Sequence, residues 1–140
     1  MNTPFAGGCV CGAVRYECTA NPAEIQMLKC HCRDCQRISG GPYTPVVYVP
    51  VRTFRVTSGT IRHFNTMSEV HGPHRRGFCV DCGSRLTGGE CEGSTGIGMT
   101  ASSLDDPSWF KPAVDMWVSD AQPWDIMDPA LPKFPKFPPH

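Results

Sequence analysis

Residues 13–18 alternate in character. Val14, Tyr16 and Cys18 fall on one side and Arg15 and Glu17 on the other, the period-two signature of a half-buried strand. Residues 43–51, 53–57, 60–65, 75–78 and 113–119 are further short runs rich in Val, Phe, Tyr and Thr, side chains that suit a pleated surface. Ser58-Gly59 reads as a hairpin turn between two of these runs. Helical signals are scarce. Fourteen Pro and fourteen Gly leave little room for long helices, and only residues 33–38 and 102–110 carry a helical pattern. No segment repeats. The expectation is one mainly β domain with short helical turns.

Composition changes this picture in one respect. Leu, Ile, Val and Phe make up 27 of 140 residues, about 19%, which is thin for a self-supporting core. Thirteen basic residues balance thirteen acidic ones, so the chain lacks the charge excess of a disordered segment. The same balance disfavours nucleic acid and anionic lipid as partners. The longest apolar run, residues 46–51, is broken by Pro50 and falls far short of the ~20 residues of a membrane helix. Met-Asn-Thr-Pro-Phe at the start has neither the basic nor the apolar region of an export signal, so a cytoplasmic location is expected. Residues 129–140 hold five prolines in twelve positions and favour extended polyproline II. Residues 133–140 are read as a Pro-rich tail on a domain of residues 1–132. The tail is either loosely attached or pinned by Phe134 and Phe137 onto the body or onto a second copy in a homodimer.

Nine cysteines supply what the core lacks. In a reducing compartment they act as thiolates for metal or catalysis rather than as disulfides. Seven fall into three clusters: Cys9 and Cys11, then Cys30, Cys32 and Cys35, then Cys79 and Cys82. Cys79-Val-Asp-Cys82-Gly83 has the shape of a zinc knuckle, with Gly83 free to take a positive φ. Cys9 and Cys11 lie two apart, so on extended backbone both sulfurs point to one side. Joined, the two pairs make a closed four-thiolate site, the arrangement of a structural zinc. Cys30, Cys32 and Cys35 offer three thiolates with no local fourth, because His31 lies on the opposite face of an extended Cys30–Cys32. Either this is an open, working zinc site, or a distant Cys18, Cys91, His63, His71 or His74 closes it. Cys18 and Cys91, standing alone, read as small buried hydrophobes.

The flanks of these clusters carry a resemblance. Gly7-Gly8-Cys9-Val-Cys11-Gly12-Ala-Val-Arg15-Tyr16, Cys30-His31-Cys32-Arg-Asp-Cys35-Gln36-Arg37-Ile-Ser39-Gly40, Arg76-Gly77-Phe78-Cys79-Val-Asp-Cys82-Gly83-Ser84 and Leu104-Asp105-Asp106-Pro107 resemble the glutathione-dependent formaldehyde-activating family. Trp117-Val-Ser119 and Gln122-Pro123-Trp124 extend the likeness, which also takes in the centromere-protein-V-type domain. The resemblance implies a zinc-bound β-tent of antiparallel sheets over residues 1–132 and two Zn²⁺ per chain. Cys9, Cys11, Cys79 and Cys82 would hold the structural zinc and Cys30, Cys32 and Cys35 the catalytic one. It implies a carbon–sulfur lyase of the S-(hydroxymethyl)glutathione synthase type, adding glutathione or a similar thiol to formaldehyde or another small carbonyl. His31, Ser39 and Tyr43 are chemically able proton donors near the middle cluster, and Arg33, Arg37 and Arg76 could meet glutathione's carboxylates. The alternative is a non-catalytic zinc module that binds a protein or nucleic-acid partner, for which a basic extension would be expected; the chain has none.

Overall fold

The computed structural model describes residues 3–139. Met1 and Asn2, at the start of the expected domain, and His140, at the end of the Pro-rich stretch, lie outside the described residues. Eleven strands form two sheets among the described residues. The smaller has the order β1 (Phe5–Gly8), β2 (Arg15–Cys18), β5 (Phe54–Ser58). In β2 the alternation works as expected: Tyr16 and Cys18 are buried, and Arg15 reaches out to a two-pronged pair with Asp105 at 2.8 and 2.5 Å.

The larger sheet is built around β4 (Thr44–Pro50), whose Val47 and Val49 are fully buried. β4 pairs antiparallel with β3 (Gln26–Cys30) on one side and β9 (Gly96–Thr100) on the other, Val47 standing opposite Met27 and Met99. Beyond β9 follow β8 (Arg85–Glu90), β7 (Gly72–Cys79) and β6 (Ile61–Ser68). Beyond β3 lie β10 (Val114–Met116) and β11 (Lys133–Phe134), and these last two pairings, β3 with β10 and β10 with β11, are parallel. The core between the sheets gathers Phe5, Val14, Tyr16, Leu86, Ile97 and Met99.

One helix is present, α1 (Arg33–Ser39). Cys32 caps its N-terminus, its sulfur accepting from the Cys35 amide, and Gly40 ends it at φ 74°. The helix expected over 102–110 is instead two 3₁₀ turns, Ala101–Ser103 and Pro107–Trp109. Pro107 has no N–H to continue a helix and disfavours helical backbone at Asp106. The expected strand 113–119 stops at Met116, because Trp117 takes a left-handed φ of 60° and a 3₁₀ turn follows.

The Pro-rich stretch is tied down. Lys133 and Phe134 pair with Asp115 and Met116, the Trp117 amide donates to Lys136 O (3.0 Å), and the Phe137 ring packs edge-on against Trp117. No helix among the described residues is long and apolar enough to cross a membrane.

Candidate metal centres and active-site cavity

The first sulfur group closes where β1 and β7 end. After β1 the chain turns through Gly12 (φ 81°), and the Val14 amide donates to Cys9 Sγ at 3.2 Å. Cys79 ends β7, and Gly83 (φ 77°) folds the knuckle back so that its amide reaches Cys79 O. Ser84 Oγ accepts from the Val10 amide and ties the two halves together. All four sulfurs lie within 4.8 Å of one another, with Cys9–Cys11 at 3.6 Å and Cys11–Cys79 at 3.8 Å. Four sulfurs held tetrahedrally at ~2.3 Å from one ion stand roughly 3.8 Å apart, so the donor set fits zinc in number, type and spacing. The thiols compete for charge. Hydrogen bonds from the Ser84 hydroxyl and amide pull Cys82 down to about 5. Cys11, although the Ala13 amide pulls it down, is pushed to about 12 by Cys9 and Cys82. A dication relieves such crowding.

The second group comes from one turn of chain. Cys30 ends β3, Cys32 caps α1 and Cys35 sits in its first turn, and the three sulfurs lie within 4.8 Å of one another. Cys30 and Cys35 are buried, and Cys32 is half-buried. Cys30 and Cys32 hold the Cys35 thiol well below the usual range by hydrogen bonding, against the effect of burial and with help from the Arg76 charge. None of Cys18, Cys91, His63, His71 or His74 joins this group among the described residues. Cys18 is enclosed beside Thr53 in the core, and His63 Nδ1 faces Arg75.

A cavity of about 1200 Å³ opens on the three sulfurs and reaches across β7, β8 and β9 to Phe137. Arg33 and Arg76 border it, whereas Arg37 does not. The three expected proton donors are also absent from its lining. His31 is fully buried on the other side of the cysteine turn, with Nε2 2.7 Å from Asp115 and Nδ1 2.5 Å from Asp125. Both ring nitrogens face carboxylate oxygens. Lys29 and Lys133 stand at 3.5 and 3.0 Å from Asp115. Burial pushes the Asp115 carboxyl up, but His31, Lys133 and Lys29 together hold it below its ordinary value. This network fixes the loop between Cys30 and Cys32 from behind. Ser39 Oγ accepts from the Gly41 amide, and Tyr43 lies under the Lys29 ammonium.

Two residues on the cavity take the places expected of others. His74, on β7, is 7% exposed, and its buried Nε2 has no partner. Burial, then the charges of Arg76 and His71, holds its imidazole below the usual value. Arg85, on β8, has a buried Nη1 without a partner, and burial together with Arg76 lowers it to about 10. Arg76, itself 7% exposed, donates from Nε to Thr66 and lies with Nη1 3.9 Å from Cys35 Sγ. Alternation on β7, which puts His74 and Arg76 on one face, was the available signal for His74; Arg85 had none.

A family model described as the glutathione-dependent formaldehyde-activating enzyme matches residues 4–120. The chain belongs to this family. Its fold is also seen in a crystal structure of a Rhodobacter sphaeroides protein, at a TM-score of 0.58 and 19% identity, over 72% of this chain and 88% of that one. At that identity the likeness bears on the fold alone.

Proposed function

We propose that this chain is a zinc-dependent carbon–sulfur lyase that joins glutathione, or a similar small thiol, to formaldehyde or another small carbonyl in the cytoplasm. The observation that carries the reading is the second sulfur group: three thiols, no fourth protein ligand among the described residues, and a cavity large enough for a tripeptide thiol. Cys9, Cys11, Cys79 and Cys82 would hold a structural zinc, because a closed four-sulfur shell leaves a substrate no place. Cys30, Cys32 and Cys35 would hold the catalytic one. When bound there, zinc supplies a coordination position for the incoming thiol and favours its deprotonated form.

The rest is work for side chains on the cavity. His74, neutral and with Nε2 free, takes the thiol's proton. The sulfur electron pair forms the S–C bond, the carbonyl π pair moves onto oxygen, and His74 returns the proton to it. Arg76 offsets the charge that grows on that oxygen. Arg33 and Lys111, exposed where the cavity meets solvent, suit glutathione's two carboxylates.

Cobalt in place of zinc tests this, because its charge-transfer absorption grows with each sulfur bound. Millimolar glutathione should raise that absorption in the wild type and not in Cys32→Ala, while S-methylglutathione should leave it unchanged. A spectrum that ignores glutathione would end the enzyme reading in favour of a zinc module that binds a macromolecular partner.

A further inference from the structure

Two guanidinium groups face the cavity next to the second sulfur group, and one is enough for an alkoxide. Arg76 and Arg85 lie over the same point of the sheet: a Cβ placed on Gly88 would overlap Arg85 Nη2 and stand 3.5 Å from Arg76 Nη1. No ion pair among the described residues joins either arginine to a carboxylate. Arg76 is 7% exposed, and Arg85 Nη1 is buried without an acceptor. Buried charge of this kind is costly unless an anion meets it. Before a thiol binds, three thiolates on a dication carry a net −1 and match only one of the two cations, and Arg85 Nη1 is left without an acceptor.

Formaldehyde is neutral and supplies no such anion. Glutathione's carboxylates lie several bonds from its sulfur, and Arg33 and Lys111 are the exposed cations available to them. Arg76 is in contact with Cys35 itself, so an anion attached directly to the carbon under attack would be carried to it. We infer that Arg85, together with Arg76, forms a carboxylate subsite, and that the carbonyl substrate is a small 2-oxo acid, glyoxylate being the smallest. The inference rests on the thiol-adding role proposed above and specifies the second substrate. The step balances without any redox partner. RS–H and OHC–COO⁻ give RS–CH(OH)–COO⁻: the S–C bond forms, the carbonyl π bond breaks, and the thiol proton ends on the new hydroxyl.

Calorimetric titration of the zinc-loaded full chain with oxamate, an unreactive analogue of small 2-oxo acids that has an amide in place of their carbonyl group, reads the subsite without turnover. Oxamate should bind and its neutral counterpart formamide should not. Arg85→Met should weaken oxamate about 10- to 100-fold, the loss of one charged hydrogen-bond partner, and Arg85→Lys should weaken it less. With glutathione present, the wild type should use glyoxylate at least about tenfold better than formaldehyde in kcat/KM, a margin within the reach of the same contact. Oxamate binding no tighter than formamide would overturn the inference even if Arg85→Met failed to fold. So would an Arg85→Met variant that loses glutathione's cobalt signal as fully as it loses oxamate, since the subsite would then serve the thiol. The cobalt spectrum reads the thiol position and calorimetry reads the arginines, so failure of the enzyme reading and failure of this one are told apart.

Discussion

Cys9, Cys11, Cys79 and Cys82 come from the ends of two strands, Cys11 and Cys79 standing 68 positions apart, and they reach the surface through Cys11. Cys30, Cys32 and Cys35 come from a single turn and open on a cavity. A metal held by the first group would therefore cross-link distant parts of a chain with a thin core, and one held by the second would change little about which parts of the chain meet. Ligand type alone does not separate the two groups. Sequence separation and the space left beside the sulfurs do.

Removing one ligand from each centre is the strongest way to break this contrast. Cys79→Ala should leave the chain unfolded or insoluble. Apparent zinc binding in small zinc domains is about 10–16 kcal/mol, as large as the roughly 5–15 kcal/mol by which whole domains are stable. Cys32→Ala should stay folded with one metal fewer, as read by circular dichroism and metal analysis. Equal loss of fold in both would erase the distinction.

The support behind the second centre comes next in size. Asp115→Asn strips a buried carboxylate from His31, Lys29 and Lys133 and should cost about 3–5 kcal/mol in denaturant unfolding. The first centre should keep its metal, and simultaneous loss of both would show the two centres to be one cooperative unit.

A smaller effect is read in pH. His74 is lowered in the folded chain, so the unfolded chain, at about 6.5, takes up the proton first as pH falls. Stability from this group is present above pH ~6.5 and is lost on acidification toward the lowered folded value, by at most about 1.4 kcal/mol per pH unit. His74→Gln should flatten that slope below pH ~6.5. A slope unchanged by the substitution would remove His74 as a neutral buried base.

Least affected should be Cys18→Ser and Cys91→Ser, which should retain both metals and lose no more than about 1–2 kcal/mol. The Cys18 site already offers Thr53 Oγ1 as a partner. One metal lost in either variant would show that the second centre takes its fourth ligand from that cysteine.

The grouping of the seven clustered cysteines was legible because ligand spacing is a local property and survives without knowledge of the fold. So was β2, where one face is buried and the pattern alternates. β8 and β9 were not legible. Their Gly88 and Gly98 are opposite partners in the ladder, and glycine argues against a strand unless the need for bare backbone is known. His31 misled by adjacency: it neighbours two sulfurs in sequence yet turns away from the cavity into a carboxylate network. Arg76 reads in the sequence as a partner for a glutathione carboxylate, and only the folded sheet brings it to Cys35. The parallel edge strands depend on contacts between residues far apart in sequence, which no local pattern records.

The 68-position span between Cys11 and Cys79 also sets an order in time. Closing a loop costs more as it lengthens, and a chain emerging N-terminus first presents Cys30, Cys32 and Cys35 together long before Cys79 and Cys82 exist. The second centre can thus gather all three of its ligands while the first has only half of its own. Refolding the stripped chain with limiting zinc, while alkylating unprotected thiols, should find the middle three shielded first. A newly made chain is then exposed to oxidants and foreign soft metals chiefly at Cys9 and Cys11, which must wait for partners that have not yet been synthesised.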